Sequence, residues 1–109
     1  MNVFIAVENN AGLDSILDNR FGRAGYFMVY DTDSQKILSI EKNKYKNEGH
    51  GVGIKVASRA VESGCQAIIG AQPGPKAADI LEQAHIKIIV DHHGTVKEAL
   101  ERHKKELTV

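Results

Sequence analysis

Cysteine is nearly absent from this sequence, with one residue, Cys65, among 109. A single thiol excludes an internal disulfide and every CxxC motif, including an iron–sulfur cluster held by the chain's own cysteines alone. No excess of either charge exists, because Lys+Arg and Asp+Glu number 14 each. That balance argues against the long-range basic field that gathers nucleic acid. No apolar run approaches the roughly 20 residues a membrane span requires. The opening MNVFIAVENN lacks a basic region followed by a signal-peptide core, so a cytoplasmic protein is expected. Also missing are a Ser/His/Asp arrangement, a phosphate-cradling GxxxxGK[ST] loop and a paired carboxylate set of recognisable spacing. Nothing in these residues compels an enzyme.

What is present suits one globular domain spanning residues 1–109, with 42% hydrophobic and 26% charged residues. The chain is organised around residues 65–84, CQAIIGAQPGPKAADILEQA. The run at 66–69 is too short for a helix and stops at Gly70, as a buried parallel strand does. Both prolines of the chain fall in the elbow that follows, Ala71-Gln72-Pro73-Gly74-Pro75. Pro75 suits the first turn of a helix and Gly74 can take backbone angles closed to other residues. The helix then runs through Ala77, Ala78, Ile80, Leu81 and Ala84. Ligands of open α/β sheets settle at the carboxyl ends of strands, where helix starts present unpaired N–H groups. The elbow is therefore a candidate wall of a site, or simply a compact connection.

In chain order, residues 2–7 (NVFIAV) read as a first strand buried on both faces. Residues 8–25 are polar, with Leu13, Ile16, Leu17 and Phe21 as anchors, and read as loop with one short helical turn. The runs YFMVY (26–30) and ILSI (37–40) flank a polar turn and predict a hairpin. Residues 42–51 read as an exposed, mobile connection. Helical spacing from 52 to 63 and a stop at Gly64 predict a helix. Residues 86–90 (IKIIV) make a fifth strand, and Thr95 with Glu98 forms the capping box of a third helix. The tail from 104 to 109 is expected to fray. Right-handed crossovers limit this order to a mixed five-stranded α/β sheet, 3-2-1-4-5, with strand two antiparallel and helices on both faces.

His50 stands in GHGVG before the first long helix, where Gly49, Gly51 and Gly53 let a ligand approach the backbone. Its imidazole could serve as proton donor or metal ligand, or face solvent as an ordinary loop histidine. Asp91-His92-His93-Gly94 follows the fifth strand and supplies ligand types for a transition metal. Consecutive side chains of extended backbone point apart, so at most one of His92 and His93 is expected in a site unless the chain turns there. A DHH-type phosphoesterase needs several more aspartates and histidines than this chain gathers. Cys65 reads as a small buried hydrophobe, and His85 and His103 as surface or core-edge residues.

Taken together, four segments resemble the dinitrogenase iron–molybdenum cofactor biosynthesis proteins, of the NifX and NafY type and the NifB carboxyl-terminal domain. They are Asp18-Asn19-Arg20-Phe21-Gly22-Arg23-Ala24 with Tyr26-Phe27, His50 to Gly53, GCQAIIGAQPGPKAADIL, and GTVKEAL from Gly94 to Leu100. The resemblance implies a ribonuclease-H-like fold without that enzyme's metal-binding carboxylates. It also implies a non-catalytic role: binding or carrying an iron–sulfur cluster or iron–molybdenum cofactor precursor between donor and acceptor proteins. On that basis the cofactor-binding residues are His50, Gly51, Gly53, Gly70 and Gly74, with His50, His92 and His93 as metal ligands. The alternatives are a small-anion or partner-protein binding module without metal and, third, a metal-dependent hydrolase.

Overall fold

Two of the three apolar runs, residues 2–7 and 67–70, lie in the interior of one sheet, whereas the third, residues 87–90, forms an edge. The computed structural model describes residues 1–108 and places the strands β1 (Asn2–Val7), β2 (Tyr26–Asp31), β3 (Lys36–Lys42), β4 (Ala67–Gly70) and β5 (Lys87–Val90) in the order 3-2-1-4-5. β1 pairs antiparallel with β2 and parallel with β4, and β5 lies parallel to β4. β1 is the central strand and β4 its parallel neighbour, both buried almost throughout, which is why neither shows polar alternation. β2 and β3 form the expected hairpin. Val29 pairs with Ser39 and Tyr30 with Ile37, which leaves Leu38 in a bulge and 54% exposed.

The helices α1 (Val52–Glu62) and α2 (Pro75–Gln83) cover one face of the sheet, and α3 (Val96–Arg102) covers the other. The first face buries Phe4, Phe27, Val29 and Ile68 against Val52, Val56, Ala60, Ala77 and Leu81. Phe4 and Phe27 stack across β1 and β2 with ring centroids 4.9 Å apart. The second face buries Val3, Ile5, Met28, Ile69 and Ile89 against Val96 and Ala99. Thr95 and Glu98 form the reciprocal capping box that starts α3. Because β1, β3, β4 and β5 all run the same way, their carboxyl ends share one edge. All three helices start from that edge. No helix among the described residues is long and apolar enough to cross a membrane.

Two segments differ from the sequence expectation. The connection at 42–51 is mostly exposed, as expected, but it is pinned by Asn43, which is only 8% exposed. The Asn43 Nδ2 donates to the carbonyls of Gly22 and Ala24, both at 2.9 Å, and its Oδ1 accepts from the Tyr45 amide. The tail, expected to fray, instead turns back so that Leu107 is buried against the second face. Val109 lies outside the described residues. Residues 8–25 do carry a short helical turn, Gly12–Asp14, followed by bridges from Leu17 to Val7 and from Ile16 to Thr95.

Candidate functional site

The starts of α1 and α2 lie side by side at the carboxyl edge. A β-carbon built on Gly53 would stand 3.7 Å from that of Ala77, so the two first turns are in van der Waals reach. Glycine at the N-cap of each helix removes the side chain that would ordinarily cover the free amides. Gly51 caps α1 with φ +71°, a conformation that favours glycine, and Gly74 caps α2 in extended backbone. Neither helix has a side-chain cap or an acidic residue in its first turn. The first intrahelical bonds run from Lys55 to Gly51 and from Ala78 to Gly74. The amides of Val52, Gly53, Ile54, Lys76 and Ala77 are thus without a protein acceptor among the described residues. α3 shows the contrast, since Thr95 and Glu98 cap its start and leave no such opening.

The loop carrying Phe21, Gly22 and Arg23 closes one side of this edge. A β-carbon on Gly22 would come within 3.1 Å of the Gly53 nitrogen, and one on Gly25 within 2.6 Å of the Glu8 carbonyl oxygen. At Gly25 a β-carbon would force the backbone to shift, and at Gly22 it would fit only tightly. Asp18, fully buried, organises the loop: its carboxylate accepts from the Arg20 side chain and from the amides of Arg20 and Gly25. Burial alone would push this carboxyl up, but those donors outweigh it and hold it below the usual carboxylate value. The Arg23 guanidinium has no acidic partner among the described residues. It donates to the carbonyls of Lys46 at 2.7 Å and Gly49 at 3.3 Å, fixing the chain just before His50. His50 itself is exposed. Lys55 pairs with Glu48 and approaches the Tyr45 ring, as does Lys44.

The other sequence candidates fall in different settings. Gly70 is buried in β4, where a β-carbon would meet that of Ala6 at 3.4 Å, close to ordinary van der Waals contact. His92 and His93 stack on each other with centroids 4.7 Å apart, because the backbone bends at His93 and Gly94 takes φ +74°. The chain does turn there, which is the exception under which the two side chains can lie on the same side. Asp91 beside them was missed as a structural anchor. It accepts from Arg102, from the amide of His93 and pairs with His103 Nε2 at 2.7 Å, while His103 Nδ1 reaches Glu106. Burial acts to raise this carboxyl, yet His103, Arg102 and the His93 amide together lower it to about 2. Among the described residues, no three His, Cys, Asp or Glu side chains are grouped to hold a bare metal ion, and His50, His92 and His93 form no such set. Cys65 is buried near the opposite edge. Its thiol donates to the Ala60 carbonyl and is pushed up by burial, away from the thiolate form.

With this geometry in view, comparison with known proteins is informative. The family model described as dinitrogenase iron-molybdenum cofactor matches residues 1–106. The chain belongs to this family. This dinitrogenase cofactor-family chain is similar to a protein of Methanocaldococcus jannaschii, 29% identical over 102 residues covering 92% of this chain and 82% of that protein. Among solved structures it is similar to the apo form of the orange protein from Desulfovibrio gigas. The two share 32% identity and a TM-score of 0.87 over 96% of this chain and 88% of the other. It is also similar to a Thermotoga protein assigned as NifB, at 32% identity and a TM-score of 0.79 over 95% and 87%.

Proposed function

We propose that this family member is a non-catalytic carrier, working in the cytoplasm, on a sheet of the ribonuclease-H-like type. Its cargo is an iron–sulfur cluster or a precursor of the nitrogenase cofactor, passed from a donor protein to an acceptor. The observation that carries this reading is the pair of adjoining helix starts, both capped by glycine and both lacking an acid. Each helix start presents a partial positive charge equivalent to about half an elementary charge, and a bound anion gains about 0.3–1 kcal/mol from it, up to about 2 when partly buried. Five free amides add hydrogen-bond donors aimed outward from the same edge. A cluster that brings its own sulfides needs few protein ligands, which suits an edge where no three His, Cys, Asp or Glu side chains are grouped among the described residues. His50 supplies one imidazole, positioned by the Arg23 bonds to Lys46 and Gly49, while Gly51 and Gly74 keep the floor open and Gly53 packs α1 against Ala77 of α2. Gly70 lies beneath at the end of β4, and His92 and His93 supply further imidazoles on the 91–94 turn. Membership in the dinitrogenase cofactor family, and likeness to a protein solved in an apo form, support cargo of this class.

The second reading, a binding module for a small anion or an acidic partner without metal, draws on the same two helix starts. Anaerobic incubation with iron and sulfide, or with an isolated cofactor precursor, separates the two. The carrier reading expects a repurified protein with visible absorption and stoichiometric metal, with loading weakened by His50→Ala. Failure to retain metal, with saturable binding of inorganic phosphate at the same amides, would replace it with the anion module. The third reading, a metal-dependent hydrolase, gains no support from the described side chains.

A further inference from the structure

We propose that the protein has a second ligand site, for a small amphipathic monocarboxylate, between α3 and the β2–β3 turn. This site lies on the opposite face of the sheet from α1 and α2, and it is independent of the carrier reading. A cavity of about 480 Å³ opens there, within the roughly 300–1,000 Å³ of small-molecule sites. It exists because α3 has only 7 residues, about 10 Å of helix, and leaves part of the sheet uncovered. Leu13, Tyr30, Leu100 and Leu107 form its apolar walls; Tyr30 and Leu107 belong to the core cluster of that face, and Leu13 and Leu100 pack against it.

Tyr30 points to a ligand with a polar end. It is only 8% exposed and lines the cavity, yet its hydroxyl makes no hydrogen bond among the described residues. No buried side-chain oxygen is sealed off without a partner, so this hydroxyl meets solvent, through the cavity that the ring lines. A tyrosine buried to this degree ordinarily satisfies its hydroxyl within the protein. Charge selects the sign of the ligand. Lys97 and Lys104 stand on the rim without an ion pair among the described residues, while the rim acid Asp33 is taken by the N-terminal ammonium at 3.0 Å. Glu101 offsets one of the two lysines, and the neighbouring surface adds Lys105, Arg102 being already paired with Asp91. A carboxylate head would accept from the Tyr30 hydroxyl and a lysine ammonium, with its alkyl or aromatic body laid against the leucines.

Titration of the ¹⁵N-labelled protein with decanoate, and separately with decyltrimethylammonium, both below micelle-forming concentrations, tests this. Decanoate is expected to give saturating amide shifts at Leu13, Tyr30, Leu100 and Lys104 while Gly51 and Gly74 stay still, with the cation at least tenfold weaker. Tyr30→Phe keeps the ring and is expected to raise Kd about tenfold; Lys104→Glu, at an exposed position, should weaken binding without touching the core. Shifts that fail to saturate, or that centre on the starts of α1 and α2, would overturn the proposal. So would equal binding of the cation, or unchanged decanoate affinity in either folded variant.

Discussion

Replacing Gly74 by aspartate should strengthen the fold and weaken cargo binding, and the opposed signs make it a sharp test of the two-helix site. Gly74 has φ −67° and ψ 167°, which any L-residue adopts, and nothing lies within 4 Å of a β-carbon built there. An aspartate side chain at this N-cap accepts from the amides two and three residues on, those of Lys76 and Ala77. Relative to glycine the cap contributes a few tenths of a kcal/mol, and its charge on the helix dipole adds about 0.3–1 kcal/mol. For a domain of this size the thermal midpoint should rise by roughly 2–6 °C. The same carboxylate occupies two donors and sets a negative charge against an anionic cargo. A hydrogen bond to a charged group contributes roughly 1.5–3 kcal/mol, so a loss on the order of 2 kcal/mol, about thirtyfold in affinity, is expected. Gly74→Ser, a neutral cap without the charge on the dipole, should give a smaller stabilisation and a smaller loss of binding. Circular dichroism melts and anaerobic loading curves measure the two effects. An aspartate variant that melts higher yet loads like the parent protein would refute the placement of the cargo over α2.

Asn43→Ala should destabilise by about 1–3 kcal/mol, because it strands the carbonyls of Gly22 and Ala24 and frees the Tyr45 amide, and a denaturant melt with amide exchange at Tyr45 checks it. Leu107→Ala should cost about 2 kcal/mol in the same assay, whereas a frayed tail would make it neutral. Asp91 titrates at about 2 in the folded protein, below its unfolded value near 3.9, so its stabilising contribution is present above about pH 4 and fades as pH falls toward 2. Discounting for the solvent around Arg102, that contribution is on the order of 1 kcal/mol, and Asp91→Asn should flatten the acid limb of the stability profile.

The sheet was legible because its information is local. NVFIAV and AIIG are apolar on both faces, KIIV is a short apolar run, the 31–36 turn is polar, and the handedness of crossovers leaves few arrangements. The glycines that start α1 and α2 were legible for the same reason, as were Thr95 and Glu98. What stayed hidden depends on partners far along the chain. Asn43 sits in a run of charges, and its value comes from carbonyls 19 and 21 residues earlier. Leu107 looked like the end of an exposed tail, since the surface it covers belongs to a cluster of distant strands. The approach of His92 to His93 follows from a bend with Gly94 at positive φ, which the period-two rule for extended chains does not anticipate. That Gly53 and Ala77 place two helix starts together could be read only from how α1 and α2 pack.

The central claim is that anionic cargo sits over the first turns of α1 and α2. Its most direct measurement is a comparison of ¹H–¹⁵N spectra of the apo protein and of protein loaded anaerobically with iron and sulfide. Resonances of Val52, Gly53, Ile54, Lys76 and Ala77 are expected to shift or broaden most, with His50 close behind and Cys65 and Gln66 unchanged. A loaded protein whose largest changes surround Cys65 at the opposite edge, with the five amides undisturbed, would contradict it.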